Sequence, residues 1–425
     1  MIALRPFRPR LRSTLLILAG AGTLACDALM PGAPDPAEEL VGVIDGLTGP
    51  QRAMHAIGDR EFARVFGTAD GLGPVFVAPS CESCHAGDGK GHPVFNITRF
   101  GRMVSGSFDP MRASGGPQLQ DRAILGYVAE RVPAGVTGIA RFTAPSVTGL
   151  GFLEAVDDST LQRLADPSDA NADGISGRLQ LMDASDLVTR VIAMESAAAT
   201  GVPTRGTSIG GQYIGRFGKK AQSVNLVQQV AGAYHQDMGV TSDLIPDEIF
   251  NPQVGAFTGD LVPEPEVSAA VVNAVTFYIK TLRVPPRRHL TQPDVIAGEP
   301  LFVAGGCAAC HLPALTTGAS HLAVLDRVTF HPFTDLLLHD MGPELDDGYT
   351  EGRATTSEWR TAPLWGLGLA ASLQGGTPRL LHDGRATSIP QAISFHGGEA
   401  AASRTWFSAL SADDRRRLLA YLNSL

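Results

Sequence analysis

Apolar residues at helical spacing predict a helix over residues 411–425, at the end of the chain. This spacing places the apolar side chains on one face, where they can pack against the rest of the protein. Ser411, followed three positions later by Asp414, resembles the start of a capping box, which marks the beginning of a helix. The apolar positions are Leu418, Leu419, Leu422 and Leu425.

Three other stretches show helix-like patterns. Residues 266–282 form the longest of them, and residues 294–303 (DVIAGEPLFV) end just before a Gly-Gly pair. A shorter helix is predicted over residues 61–66 (EFARVF). Residues 283–289 (RVPPRRH) contain two prolines, which do not continue a helix, and are predicted to be a linker.

Composition indicates a folded protein and argues against one class of partner. The chain has 425 residues, of which 44% are apolar and 18% charged, so disorder as the main state is excluded. Its 48 glycines and 29 prolines predict many turns. The formal net charge of -9 argues against a nucleic-acid partner, because phosphate binding needs a basic surface.

The N-terminus is typical of an export signal. Four arginines precede residues 15–25, an apolar run too short to span a membrane. We therefore predict a signal peptide over residues 1–25 and export to the periplasm. Residues 23–26 (TLAC) resemble a lipoprotein cleavage site, which would leave Cys26 lipidated and the protein attached to the membrane through that anchor alone. Plain cleavage and an uncleaved anchor are the alternatives.

The other four cysteines form two C-x-x-C-H motifs, the attachment sequence for c-type haem. In such a motif two thiols bond to the porphyrin, and the following histidine becomes a ligand of the iron. One zinc ion shared by both pairs, or a thioredoxin-like pair, would not require a histidine after each motif. We predict two covalently bound haem c groups. The motifs are Cys81-Glu-Ser-Cys84-His85 and Cys307-Ala-Ala-Cys310-His311.

The placement of the helices around the motifs predicts the fold. A helix before a haem motif and a terminal helix after it are typical of a cytochrome c domain. We therefore predict a mainly α protein with long loops and two cytochrome c-like domains. Their predicted bounds are residues 26–285 and 286–425.

Ten sequence blocks, in matching order, resemble a family of bacterial di-haem oxidoreductases whose members are described as peroxidases. More distantly, the chain is similar to di-haem cytochrome c peroxidases. The resemblance implies that a periplasmic electron donor supplies electrons. One haem then passes them to the other for the reduction of peroxide or a related oxidant. An electron-transfer cytochrome without substrate chemistry, or a maturation oxidase acting on a partner protein, remains an alternative. The blocks include GLGPVFVAPSCESCH (71–85), GGPQLQDRAILG (115–126), GRFGKKA (215–221), FTDLLLHDMGPEL (333–345) and LLHDGRA (380–386).

The resemblance also implies roles for single residues. His396, shortly after an H-D-G motif, matches the second axial ligand that would face His311, although it could instead cap a helix. Asp237 matches the acid–base residue that moves a proton during peroxide reduction, or else caps a helix end. Gln229, or Gln228, matches the glutamine that accompanies it.

Arg216 and Arg360 are candidate partners of haem propionates, because guanidinium groups pair with carboxylates. Relatives have tryptophan where this chain has Lys219, so electrons between the haems would need another route. The candidates for that route are Phe217, Trp359, Trp365 and direct propionate contact. The sixth ligand of the first haem is not evident, and an open site is an alternative. Candidate ligands are His92, Met103, Met111, Met238, His339 and Met341.

One loop resembles the opening of a calcium-binding EF-hand. Asp169, Asn171 and Asp173 alternate ahead of Gly174, but the closing glutamate is replaced by Gln180. A calcium site and a metal-free Asx turn are both consistent with this pattern.

Overall fold

The computed structural model describes residues 42–198, 205–254 and 259–425. The predicted signal peptide and Cys26 lie outside this part of the chain. The helices are α1 (Gly49–Ala63), α2 (Cys81–Cys84), α3 (Leu150–Glu154), α4 (Asp158–Leu164), α5 (Asp186–Ala198), α6 (Leu226–Met238), α7 (Ala269–Lys280), α8 (Pro293–Ala304), α9 (Ala370–Leu373), α10 (Ile389–Ser394), α11 (Ala401–Ala409) and α12 (Ala412–Ser424). The strands are β1 (Val75–Phe76), β2 (Ile97–Val104), β3 (Ser107–Asp109), β4 (Gln118–Leu119), β5 (Arg122–Ala123), β6 (Gly138–Phe142), β7 (Leu181–Asp183), β8 (Gln212–Ile214), β9 (Leu315–Thr316), β10 (Thr329–Phe330), β11 (Leu338–Asp340) and β12 (Glu358–Arg360).

Three of the predicted helices are confirmed as α7, α8 and α12. The Ser411 hydroxyl accepts a hydrogen bond from the Asp414 amide at 3.1 Å, as expected of an N-cap. The prediction over residues 61–66 is only partly right, because these residues overlap just the last turn of α1. That helix begins at Gly49, where Thr48 and Gln51 form a capping box.

Two helix pairs pack closely against each other, and each uses a glycine at the contact. Helix α1 packs against α7, and α8 packs against α12. A Cβ atom on Gly58 would lie 2.0 Å from the Ala274 carbonyl oxygen, and one on Gly298 would lie 2.3 Å from that of Arg417. Glycine is therefore required at both positions for the helices to approach.

The prediction of a mainly α protein is wrong, because the chain is 37% helical with 14% strand in several small sheets. The largest sheet among the described residues is antiparallel and places β2 between β6 and the strands β3 and β4. Ser105 and Gly106, which join β2 to β3, both have positive φ, at 50° and 82°. A two-residue turn of this kind matches the twist of a hairpin and so favours strand pairing.

The largest apolar core combines residues from both sides of the predicted domain boundary. It includes Phe152 and Tyr234 from the first part of the chain and Leu315, Phe330 and Trp365 from the second. A smaller core joins α8 to α12. The boundary between residues 285 and 286 stays a prediction. No helix in the described ranges combines the length and apolar character needed to span a membrane.

Candidate active site

The first C-x-x-C-H motif forms a single helical turn, α2. The Ser80 hydroxyl accepts from the Ser83 amide at 3.1 Å and thereby caps the turn. The His85 Nδ1 atom lies 2.8 Å from the Pro145 carbonyl oxygen, so it is the protonated nitrogen and Nε2 remains available as a ligand. Burial lowers the pKa of His85 to about 4, which keeps the imidazole neutral. Cys81 and Cys84 are free thiols.

The second motif repeats this arrangement in the other half of the chain. Cys307 and Cys310 are free thiols, and the His311 Nδ1 atom lies 2.9 Å from the Phe333 carbonyl oxygen. Burial lowers the pKa of His311 to about 4, and the charge of nearby His396 acts in the same direction. In both motifs, two cysteines outside any disulfide and a neutral histidine with a fixed tautomer fit a haem group.

One ring nitrogen of His396 is fixed by a backbone hydrogen bond. It lies just after α10, and its Nδ1 atom is 2.8 Å from the Ala392 carbonyl oxygen, which leaves Nε2 available. Burial lowers the pKa of His396 as well. His396 also acts electrostatically on His311, so the two side chains lie in the same region of the protein.

Asp237 lies beside the first motif, in the last turn of α6. Its Oδ1 atom accepts a hydrogen bond of 2.7 Å from the Gln118 side-chain amide. Burial raises the pKa of Asp237, and its negative charge contributes to raising the pKa of the Cys81 and Cys84 thiols to about 12. A buried carboxyl group whose pKa is raised in this way is suited to holding and releasing a proton.

Arg99 links Asp237 to a second buried carboxylate. Its guanidinium lies 3.6 Å from Glu351, with both side chains 10% exposed, and Tyr349 interacts with the same guanidinium. The positive charge of Arg99 opposes the effect of burial on the pKa of Asp237. Asp237 therefore sits in a polar network rather than at an isolated helix end.

The glutamine that contacts Asp237 is Gln118, which the sequence did not predict. The structure does not bring Gln229 or Gln228 to Asp237. Gln229 accepts from the Ser223 hydroxyl and Gln228 from the Val224 amide, both at the start of α6. Eight residues of helix separate Gln229 from Asp237 along the axis by about 12 Å. The available signal for Gln118 was its position in the block GGPQLQDRAILG, which the resemblance to the family had already marked.

The ion pair and the hydrogen bonds of the Arg216 guanidinium all lie in the protein interior. It is 1% exposed and forms an ion pair with Asp158. Its contacts therefore leave no guanidinium face for a propionate. The carbonyl groups that accept from it are those of Leu153, Glu154 and Val156.

Arg360, in contrast, belongs to a group of cations with few anionic partners. Its backbone amide donates to the Lys219 carbonyl at 3.0 Å, and its Nε donates to that of Gly218. Burial lowers the pKa of Arg360 to about 10, and that of Lys219 is lowered well below its usual value by burial and by the charges of Lys90 and Arg360. Lys219 also acts electrostatically on His85, which places this cluster at the first motif.

The three aromatic side chains considered for electron transfer occupy different surroundings. Trp359 stacks on His382 with ring centroids 3.7 Å apart, and its indole donates to the Leu345 carbonyl at 2.8 Å. Phe217 and Trp365 are part of the largest apolar core. Structural packing accounts for all three positions.

His339 lies at the second motif, and its bonding excludes it as an iron ligand. Its Nδ1 is 2.7 Å from Glu399, its Nε2 is 2.8 Å from Asp335, and Cys310 Sγ is 3.7 Å away. Burial disfavours the charged ring, but these hydrogen bonds outweigh it and raise the pKa of His339 to about 12. His339 is therefore an imidazolium held between two carboxylates.

The remaining candidates for the sixth ligand of the first haem have varied surroundings. Met111 and Met238 are buried, at 5% and 2% exposure, whereas Met103 is 46% exposed. His92 is exposed and accepts from the Val94 amide. Met341 is partly buried against a small apolar cluster. No contact among the described residues marks any of them as a ligand.

The loop around Asp169 has the hydrogen bonds of Asx turns. Its carboxylates accept from backbone amides of the same loop, Asp169 from Gly174 and Asp173 from Ile175. The Asn171 amide oxygen accepts from the backbone of Asp173 at 3.0 Å. These bonds account for the loop without a metal ion, and calcium at this position stays a prediction.

Comparison with known proteins gives one clear family match. A family model described as "Di-haem oxidoreductase, putative peroxidase" matches residues 132–425, a segment that includes the second motif and Asp237 but begins after the first motif. A search of curated proteins gives no significant match.

Two solved structures are similar to the chain at low identity. One is a Kuenenia stuttgartiensis hydrazine synthase pressurized with xenon, at 13% identity and a TM-score of 0.36, covering 99% of this chain and 100% of that chain. The other is a MauG-like protein associated with microbial copper homeostasis, at 16% identity and a TM-score of 0.31, covering 66% of this chain and 89% of that chain. Both TM-scores are too low for either likeness to bear on fold or function.

Proposed function

The chain belongs to the di-haem oxidoreductase family, and we propose that it is an exported c-type cytochrome that reduces peroxide or a related small oxidant. The observation that carries this proposal is the repeated geometry of the two C-x-x-C-H motifs. In each, two cysteines that form no disulfide precede a neutral histidine whose Nδ1 is bound to a backbone carbonyl. This leaves one nitrogen in each motif for an iron atom.

The residues that would hold the two haems follow from this geometry. Cys81, Cys84 and His85 would hold the first, and the corresponding residues of the second motif would hold the second. His396 would hold the second haem together with His311. When bound, the haems would supply electron storage and an iron centre at which an oxidant is reduced.

Asp237 would manage protons at the first site. Reduction of one peroxide to two waters consumes two electrons and two protons, so a proton source beside the oxidant is needed. Burial raises the pKa of Asp237, and Gln118 orients its carboxyl group through a 2.7 Å hydrogen bond. Proton transfer by a positioned side chain of this kind accelerates such reactions.

The cations Lys90, Lys219 and Arg360 would bind haem propionates. Each is buried or partly buried, and the charges of Lys90 and Arg360 lower the pKa of Lys219. A cluster of like charges in a low-dielectric environment is stabilised by anions placed among them. Lys219 would then take a role in propionate binding at the position where relatives have tryptophan.

The location and partners are part of the same proposal. The arginine-rich start and apolar run of residues 1–25 support export to the periplasm, with Cys26 as a lipid anchor. A periplasmic electron donor would supply electrons to the second haem. The acidic composition does not support a nucleic-acid partner.

Mass spectrometry and spectroscopy of protein made in a host that matures c-type cytochromes test the proposal. We expect a mass increased by two haems, one low-spin haem, and one haem that is high-spin or becomes so when the other is reduced. Two permanently low-spin haems without peroxide turnover would favour an electron carrier. Oxidation of a partner protein without peroxide turnover would favour a maturation oxidase.

A further inference from the structure

Four carboxylates converge in the segment between α6 and α7. They belong to Glu248, Asp260, Glu264 and Glu266, and one oxygen from each lies within 4.8 Å of the others. None of the four belongs to the haem motifs or to the calcium-like loop at Asp169. Their convergence has no role in the function proposed above.

The backbone after α6 holds two of these side chains in place. The Val267 amide donates to the Thr241 carbonyl at 3.3 Å, which aligns the two segments. The Thr241 amide and hydroxyl both donate to Glu266 Oε2, at 2.7 and 2.6 Å, and the hydroxyl also contacts Glu264. Thr241 is 0% exposed, so this hydroxyl lies on the buried side of the cluster.

Asp260 and Glu248 complete the cluster from a second loop. The Asp260 amide donates to Glu248 Oε1 at 3.0 Å, and Asp260 Oδ1 accepts from the Val262 amide at 2.8 Å. Two carboxylates thus use one oxygen each to fix the loop. Their second oxygens remain for another partner.

Three buried oxygens of the cluster have no hydrogen-bond partner. They are Asp260 Oδ2, Glu248 Oε2 and Glu266 Oε1. Asp260 is only 4% exposed, so water does not readily solvate its orphaned oxygen. Buried polar atoms without partners are costly, and an unfilled ion site is one explanation for them.

The neighbours of the four carboxylates do not compensate their charge. The groups that act on the pKa of Glu248, Asp260 and Glu266 are other acids, backbone amides and the Thr241 hydroxyl, with no described lysine or arginine among them. Burial and the nearby acids raise the pKa of Glu248 to about 8, and burial raises that of Glu266 to about 7. A bound cation would neutralise these carboxylates, since no described lysine or arginine does so.

We propose that these four carboxylates and the Thr241 hydroxyl bind one Ca²⁺ ion. Every donor is an oxygen, which suits a hard cation and disfavours zinc or copper. The donors come from loops at uneven spacing, and Ca²⁺ accepts such irregular coordination, whereas Mg²⁺ demands a near-ideal octahedron. The ion would join the segment after α6 to the start of α7.

Calcium titration of the haem-loaded protein tests this assignment. After dialysis against a chelator, isothermal titration calorimetry with CaCl₂ should show one site, and the melting temperature should rise with added Ca²⁺. Asp260→Asn removes one charge at nearly constant shape and should weaken binding by about tenfold or more. Because Asp260 is buried, the exposed Glu264→Gln variant provides the same test with little risk to folding.

The matched control is the double variant Asp169→Asn, Asp173→Asn in the calcium-like loop, which should bind Ca²⁺ as the wild type does. Loss of binding in this control, with binding retained in both cluster variants, would overturn the assignment. So would the absence of a stoichiometric site, or tighter binding of MgCl₂ than of CaCl₂. Because the readout is ion binding, failure of this proposal is distinguishable from failure of the haem proposal.

Discussion

Replacement of Asp237 by asparagine removes the proposed proton carrier while preserving the shape of the side chain. The wild-type carboxyl group has its pKa raised by burial and accepts a 2.7 Å hydrogen bond from Gln118. Asparagine can still accept that bond but cannot exchange a proton. We expect Asp237→Asn to fold and to bind haem, and to lose peroxide turnover.

The proposed acid–base role of Asp237 sets the expected size of the loss in peroxide turnover. A positioned acid–base group contributes about 10²- to 10⁴-fold to a rate. This range corresponds to about 2.7–5.5 kcal/mol in activation free energy. Gln118→Leu removes the orienting hydrogen bond, together with a bond from the same amide to the Gln236 carbonyl at 2.8 Å. A hydrogen bond to a charged acceptor is worth about 1.5–3 kcal/mol. We therefore expect Gln118→Leu to cost about tenfold to a hundredfold.

The two variants also differ in their pH dependence. The Gln118 hydrogen bond stabilises the ionised carboxylate and so lowers the pKa of Asp237 against the effect of burial. Its removal raises that pKa, so the pH at which the rate changes should move upward in Gln118→Leu. Asp237→Asn should abolish this titration, because asparagine does not ionise.

The assay is steady-state peroxide reduction, measured from pH 5 to pH 9 with an artificial electron donor and normalised to haem content. The control is Asp413→Asn, an exposed aspartate in the first turn of α12, which should leave turnover unchanged. Wild-type turnover in Asp237→Asn would refute the reasoning. A larger loss in Gln229→Leu than in Gln118→Leu would refute the choice of glutamine.

Three other predictions concern single interactions. His396→Met should raise the reduction potential of the second haem in a spectroelectrochemical titration, because Met/His ligation raises it relative to His/His. Glu399→Gln should lower the free energy of unfolding in urea by about 1–3 kcal/mol at pH 7. The pKa of Glu399 is lowered to about 2 through its hydrogen bond to His339. The difference in stability from wild type should therefore vanish as the pH falls from about 4.5 to 2. Arg216→Leu should destabilise the fold by about 3–5 kcal/mol, because it leaves Asp158 buried and unpaired, and a change confined to the haem spectrum would contradict this structural role.

The sequence alone was sufficient where the information is local. The C-x-x-C-H motif needs two thiols and an imidazole within five consecutive residues, and a single helical turn presents them together. The cap of α12 at Ser411 and Asp414 is local in the same way. Residues 283–289 likewise form neither helix nor strand, as their prolines indicate.

The mixed fold was not predicted, because the fold prediction rested on the helix patterns around the haem motifs. The signal was present in residues 97–142, where turn residues separate the strands β2 and β6. It was also present in the two-residue turn at Ser105 and Gly106. All other strands among the described residues have only two or three residues. Strands that short take their conformation from tertiary pairing rather than from local propensity.

What the sequence by itself determined is therefore the pair of haem motifs, the main helices and the family resemblance. Only the tertiary structure decided which distant side chains meet. Gln118 contacts Asp237 across 119 positions, and His339 lies between Asp335 and Glu399. The physical reason is that such contacts depend on how the helices and small sheets pack, and residue spacing along the chain carries no record of that packing.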